Sequence, residues 1–269
     1  MTLDVLTARA HTGSHRAMIQ RLAFVLMLSV ATPAAAIVGG GGAPAETIAR
    51  AVVTIIGSRG TFCSGAVIAQ DIVLTAAHCV LAGAGYKLVE FDAARQPVLK
   101  DLGAIARHPD FDVNAVLRHR VTADVALVKV AAALRIRPAP LAPDGGSVAP
   151  GDRFVVAGYG VAVRGDGKTG GTLRAATLVA TGQPGTLQIR LADAATKGER
   201  AGLGACTGDS GAPVYRPIGG ALAVIGVVSW STGPALSDGC GGLTGVTPLV
   251  RYRAWVAEQA AKMGSPLPP

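Results

Sequence analysis

From Ile37 onward the apolar residues come in short runs separated by turn formers, and this pattern limits what the chain can fold into more than any other feature. Runs at 51–57, 66–68, 72–75, 125–130, 154–157, 187–191 and 223–229 are rich in β-branched and aliphatic residues and read as strands. Thirty-six glycines and sixteen prolines among 269 residues stand largely between such runs. Both residues weaken helix interiors, which excludes a helical bundle or coiled coil, and without a strict glycine repeat there is no collagen. Half of the residues are hydrophobic, enough to offset the entropy of ordering a chain, so wholesale disorder is excluded too. The spacing predicts an all-β sandwich or barrel. One segment departs from it: Leu249, Val250, Trp255, Val256, Ala260 and Met263 recur at helical intervals, predicting an amphipathic helix over 249–262. Residues 137–151, carrying Pro138, Pro140, Pro143 and Pro150, are the expected connection between two halves.

The first 36 residues read as an address. Arg16 and Arg21 precede a ten-residue apolar stretch, 22–31, which ends in Thr32-Pro33-Ala34-Ala35-Ala36. A basic start, a short apolar core and a small-residue exit form a secretory signal peptide, with Met18 as an alternative start. The apolar run is too short to span a bilayer, so no membrane anchor is expected after cleavage. The net charge is +8; removing 1–36 takes away three arginines and one aspartate and leaves +6. Export to the medium or a periplasm makes disulfides permissible, and four cysteines allow three pairings. No spacing is Cys-x-x-Cys, which argues against zinc or a redox motif.

Three segments carry chemistry. Thr75-Ala76-Ala77-His78-Cys79 follows an apolar strand, Ala123-Asp124-Val125-Ala126-Leu127-Val128 opens another, and Gly208-Asp209-Ser210-Gly211-Ala212-Pro213 lies between turn-rich stretches. A serine hydroxyl needs a base to take its proton, and an imidazole acting as that base needs a carboxylate to fix its tautomer. In chain order the segments supply histidine, aspartate and serine.

Further motifs accompany them: Ile37-Val38-Gly39-Gly40, Phe62-Cys63-Ser64-Gly65-Ala66-Val67-Ile68, His108-Pro109, Ala157-Gly158-Tyr159-Gly160 and Val228-Ser229-Trp230. Together these make residues 37–262 resemble the chymotrypsin/trypsin-like serine proteases, as an exported, bacterial-type member. Tyr159 stands where the family has tryptophan, and Ala212 where glycine is usual. The resemblance implies two antiparallel six-stranded β-barrels with a C-terminal α-helix, the first over about 37–140 and the second over about 150–248. It implies that Ser210 is the nucleophile, His78 the general base and Asp124 its orienting partner. The N–H groups of Gly208 and Ser210 would form an oxyanion hole, and Ser229 would support Asp124. Bridges Cys63–Cys79 and Cys206–Cys240 are implied as well. So is an ion pair between a freed Ile37 amine and Asp209. Because Ala34-Ala35-Ala36 is itself a plausible cleavage site, export is expected to release Ile37 directly, with no separate propeptide.

The matched positions of the primary pocket are Gly204, Ala205, Ser231 and Gly245. None is charged, so a neutral or apolar side chain is expected before the scissile bond, since a buried cation there would lack a partner. Asp238, in the long 232–239 loop, is the residue able to reverse that expectation. Glu90, Asp92 and Asp101 lack the spacing of a calcium loop, so no metal or cofactor is expected. Arg107, Arg118, Arg120, Arg135 and Arg137 are dispersed without stacking aromatics, which argues against nucleic acid. The expected partners are protein or peptide substrates of a monomer. Two other readings stay open: a non-catalytic homologue serving as a secreted binding module, and an esterase, although neither the spacing nor the chain order is that of the lipase layout.

Overall fold

The structure, a computed structural model, describes residues 37–39, 41–91, 96–143, 147–182 and 184–268. The expected signal peptide, Gly40 of the amino-terminal motif, Asp92 and the last residue of the C-terminal tail lie outside the described residues.

Among the described residues the chain forms twelve strands in two closed antiparallel barrels. The first barrel comprises β1 (Val52–Gly57), β2 (Phe62–Ala69), β3 (Ile72–Thr75), β4 (Tyr86–Phe91), β5 (Pro97–Arg107) and β6 (Ala126–Val130), in the order β1-β2-β3-β6-β5-β4. The second comprises β7 (Arg153–Gly158), β8 (Arg174–Ala180), β9 (Ile189–Ala192), β10 (Pro213–Ile218), β11 (Ala221–Ser231) and β12 (Thr244–Pro248), ordered β10-β11-β12-β9-β8-β7. Closure leaves no unpaired sheet edge. Val53, Ile55, Val67, Val73 and Val128 fill the first barrel, and Phe154, Val156, Leu178, Leu191 and Ile225 the second. A third cluster joins them: Leu74 and Leu127 of the first barrel pack with Tyr215 and Val227 of the second.

Short helices α1 (Glu46–Ala49) and α2 (Val113–Leu117) flank the first barrel's strands, and α3 (Arg253–Lys262) ends the fold. The helix predicted from residue 249 begins as a 3-10 turn, Leu249–Arg251, and becomes regular only at Arg253. Val256 and Ala260 of α3 are fully buried in the shared cluster. His108 meets Tyr252 edge-on and Trp255 at a tilt, each with ring centroids 5.0 Å away, and its backbone N–H donates to Val125 O at 3.0 Å. The C-terminal segment thus clamps the stretch that carries Asp124.

The proline-rich connection is stitched to both barrels. Ala139 donates to Val67 O on β2, while Ala142 donates to Val224 O on β11 and Pro140 O accepts from Val224 N. Val38 and Gly42, expected with the first barrel by chain order, instead bridge to Gly204 and Ala175 of the second.

Candidate active site

β3 ends at Thr75, and the 3-10 turn Ala77–Val80 that follows carries His78. The Cys63–Cys79 disulfide fastens this turn to β2. Because Thr75 pairs with Ala126, the end of β3 lies beside the start of β6, which brings Asp124 to His78 across 46 residues. Asp124 is fully buried. Its Oδ1 accepts the backbone N–H of His78 at 3.0 Å; its Oδ2 accepts from His78 Nδ1 at 2.8 Å and from Ser229 Oγ at 2.5 Å. An ionised carboxylate only accepts, so Nδ1 is the donor in this pair and Nε2 is the ring nitrogen turned away from Asp124. His78 remains partly exposed, as a base that must meet a substrate requires.

Ser210 lies on a turn of the second barrel, just after Cys206, which is bonded to Cys240. Two glycines shape the turn: Gly208 at φ +96° and Gly211 at φ +77°. A side chain on Gly211 would also collide with the first barrel, its Cβ falling 2.1 Å from Thr75 Oγ1 and 2.4 Å from Ser64 O. Ser64 N donates to Ser210 O at 2.8 Å, and Ser64 Oγ donates to Gly208 O at 2.9 Å while accepting from Tyr159 N. Thr75 Oγ1 in turn donates to Ser64 O. The nucleophile turn is therefore tied to β2 and β3, directly behind His78. Sequence reasoning gave Ser64 and Thr75 no role; the available signal was a hydroxyl inside an otherwise apolar strand run.

Among the described residues no hydrogen bond joins Ser210 Oγ to His78, and Nε2 lies 3.8 Å from Cys79 Sγ. Such contacts are commonly loose without substrate and tighten when it binds. The N–H groups of Asp209, Gly211 and Ala212 donate to Cys206 O, Val228 O and Asp209 O, whereas those of Gly208 and Ser210 meet no acceptor among the described residues.

Asp209 is fully buried, with Oδ1 accepting from Gly160 N and Oδ2 from Cys206 N, both at 2.9 Å. Burial pushes its carboxyl up to about 6, against the two N–H bonds and the charge of Arg174, which hold it down. Ile37 is also fully buried, in the second barrel's core with Ala205 and Ala212. The expected ion pair concerns an Ile37 amine freed by cleavage; in the described residues Ile37 and Asp209 are both fully buried.

Of the four positions expected to line a pocket, Ser231 and Gly245 lie on the β11–β12 ladder and Ala205 hydrogen-bonds to it. Trp230 pairs with Gly245 and Ser231 with Thr244, while Ala205 N donates to Thr244 Oγ1 at 3.0 Å and Gly204 N to Val38 O at 3.2 Å. A Cβ on Gly245 would fall 2.1 Å from the Trp230 indole, so glycine is required for that packing. Asp238 is exposed, and its backbone carbonyl accepts from Arg164 Nη1 at 2.5 Å. A hollow of about 800 Å³ on the first barrel, between Ser58, Gly85 and Arg107, contains none of these residues. Cys63, His78 and Cys79 have ligand atoms within 4.8 Å of one another, but both sulfurs are joined in a disulfide and neither is a thiolate ligand. No helix among the described residues is long and apolar enough to cross a membrane.

Known proteins share this sequence pattern. The profile of the trypsin family matches residues 37–256. A vitellin-degrading protease of Bombyx mori is 28% identical over 217 residues, which is 75% of this chain and 77% of that protein. Granzyme E of Mus musculus is 32% identical over 135 residues, or 47% of this chain and 52% of that protein.

Proposed function

Given that the chain belongs to the trypsin family and is a serine-type endopeptidase, we propose that His78, Asp124 and Ser210 form its catalytic triad, acting on protein or peptide substrates after export. The observation that carries this reading is the buried Asp124 carboxylate with three donors around it, one of them His78 Nδ1. Ser210 Oγ attacks the scissile carbonyl carbon as its proton passes to His78 Nε2. The carbonyl electrons move onto oxygen, and the free N–H groups of Gly208 and Ser210 receive that oxyanion. One such donor typically contributes roughly 3–4 kcal/mol of transition-state stabilisation. The tetrahedral intermediate collapses to an acyl-serine while His78 returns its proton to the leaving amine. Water, deprotonated by the same imidazole, then repeats the sequence to release the acid. Asp124 keeps its charge throughout, orienting the imidazole and stabilising the imidazolium.

Once cleavage after Ala36 frees the Ile37 amine, that amine pairs with Asp209 and steadies the loop. A neutral or apolar side chain precedes the scissile bond, because Gly204, Ala205, Ser231 and Gly245 offer a cation no partner and Asp238 is exposed. The two disulfides suit an oxidising compartment outside the cytosol.

A fluorophosphonate probe followed by a casein assay on the exported protein tests the assignment. Labelling of Ser210 with casein hydrolysis, both abolished by Ser210→Ala, is expected. Labelling without proteolysis points to an esterase, and neither signal points to a binding module. Peptides differing only before the scissile bond test the pocket, and a strong preference for arginine there overturns the neutral assignment.

A further inference from the structure

Arg50, Lys100, Arg135 and Arg137 are far apart in the chain and, by position alone, are dispersed charges. The fold gathers them around one hollow of about 570 Å³ at the surface of the first barrel, where Glu90 is the carboxylate of the lining among the described residues. Two of the four cations have partners: Arg50 pairs with Glu46 on α1, and Lys100 Nζ stands 3.4 Å from Glu90 on the adjacent strand β4. Arg135 and Arg137 are exposed and meet neither a carboxylate nor a carbonyl among the described residues. Their segment is nevertheless fixed. Leu134 N donates to Gln70 O at 2.6 Å and Ala139 N to Val67 O at 2.8 Å, pinning it at both ends. Between the arginines Ile136 packs against the first barrel's core, which leaves its two neighbours facing outward.

The same hollow has apolar walls, with half-buried Val89 of β4, Val98 of β5 and Ile136 among its lining. Tyr159 lines it too, and Tyr159 N donates at 3.0 Å to Ser64 Oγ, the hydroxyl that donates to Gly208 O. His78, Asp124 and Ser210 are all outside the lining, so an occupant can sit here while substrate reacts. A guanidinium is a planar fork that matches a carboxylate with two hydrogen bonds at once. One exposed pair contributes little, so a useful occupant brings several carboxylates. The valine and isoleucine walls favour aliphatic groups set between those charges, which a polypeptide offers and a sulfated sugar chain does not. An endopeptidase acts on polypeptides, so such a segment arrives tethered to the scissile bond and binds at a raised effective concentration.

We propose that this hollow is a docking surface for an acidic peptide segment with interspersed aliphatic residues, carried by the protein substrate away from its scissile bond. Docking there selects among substrates through KM and leaves the chemical steps alone. The inference goes beyond the triad assignment and does not depend on it, because binding is measured directly.

The test reads fluorescence anisotropy on the full chain, treated with fluorophosphonate so that the probes are not cleaved. The probes are two fluorescein-labelled peptides, one alternating glutamate with valine and the other glutamine with valine. The acidic peptide is expected to bind at least tenfold tighter and to lose that advantage in molar salt. Arg135→Glu combined with Arg137→Glu should abolish the preference, whereas Arg135→Lys with Arg137→Lys should keep it within threefold. On untreated enzyme, joining the acidic peptide to a cleavable one through a flexible linker should lower KM at least fivefold with kcat unchanged, in wild type and not in the glutamate variant. The labelling rate of that variant should stay within twofold of wild type, since its fold and its serine are untouched. Equal binding of the two peptides, or acidic-peptide binding undiminished in the glutamate variant, overturns the proposal. Binding of dextran sulfate without binding of the acidic peptide overturns it in favour of a glycan site. Peptide binding with no change in KM, whichever end carries the linker, overturns the role in substrate selection. Labelling absent from every form overturns the triad assignment alone, because anisotropy reads the hollow whatever Ser210 does.

Discussion

Two carboxylates, Asp124 and Asp209, are both fully buried, yet the protein surrounds them differently. Asp124 is held largely by side chains, His78 Nδ1 and Ser229 Oγ, with the backbone of His78 as a third donor. Asp209 is held by backbone N–H groups of Gly160 and Cys206, with the charge of Arg174 nearby and glycines at 158 and 160 leaving room for it. The first arrangement aims an imidazole; the second holds a turn in shape. Burying a carboxylate is costly in either case, and the donors around it determine which part of the protein the charge controls.

The contrast predicts different failures. Asp124→Asn should leave the fold intact and lower kcat by about 10⁴-fold, because the amide favours the wrong imidazole tautomer; unchanged circular dichroism beside stopped-flow rates checks this. Asp209→Asn should cost roughly 10²–10³-fold through misplaced oxyanion donors. Its loss should appear in fluorophosphonate labelling while the His78 Nδ1 proton resonance stays in place. If that resonance shifts as much as in Asp124→Asn, the two carboxylates do not have separate roles.

The pH dependence separates them as well. With Ile37 in peptide linkage, Asp209 titrates near 6 when folded against an ordinary 3.8. A raised folded pKa favours the native state below about 4, and that advantage is lost as pH rises through 6. The shift of about two units corresponds to about 3 kcal/mol. The stability of wild type minus that of Asp209→Asn should therefore fall by about that amount between pH 4 and pH 7, read from denaturant midpoints of the uncut chain. The smallest expected effect is that of Ser229→Ala, which removes one of three donors to Asp124. It should lower kcat about tenfold with little change in KM.

How far the sequence could be read depended on how local each signal was. Seven apolar runs announced strands, but β4, β5, β8, β10 and β12 escaped notice. β5 alternates between exposed and half-buried residues and carries lysine and aspartate, so it shows no apolar run. β10 holds Pro213 and Pro217, and β12 is Thr-Gly-Val-Thr-Pro, which by composition reads as a turn. His78, Asp124 and Ser210 were legible because each sits in a contiguous motif at the end of a strand or on a glycine turn. Ser64 was not, because nothing in its immediate neighbours indicates what it faces.

The sequence alone determined that the chain would be built from short strands, that its cysteines suited an oxidising compartment, and that it carried histidine, aspartate and serine motifs in that order. Only the tertiary structure decided that Asp124 meets His78 across 46 residues, that Ser64 ties the serine turn to the opposite barrel, and that Arg50, Lys100, Arg135 and Arg137 line one hollow. The physical reason is range. Side-chain periodicity and turn chemistry are set by neighbours a few residues apart, whereas the partner of a buried charge is set by strand register and barrel closure, which join residues far apart in the chain.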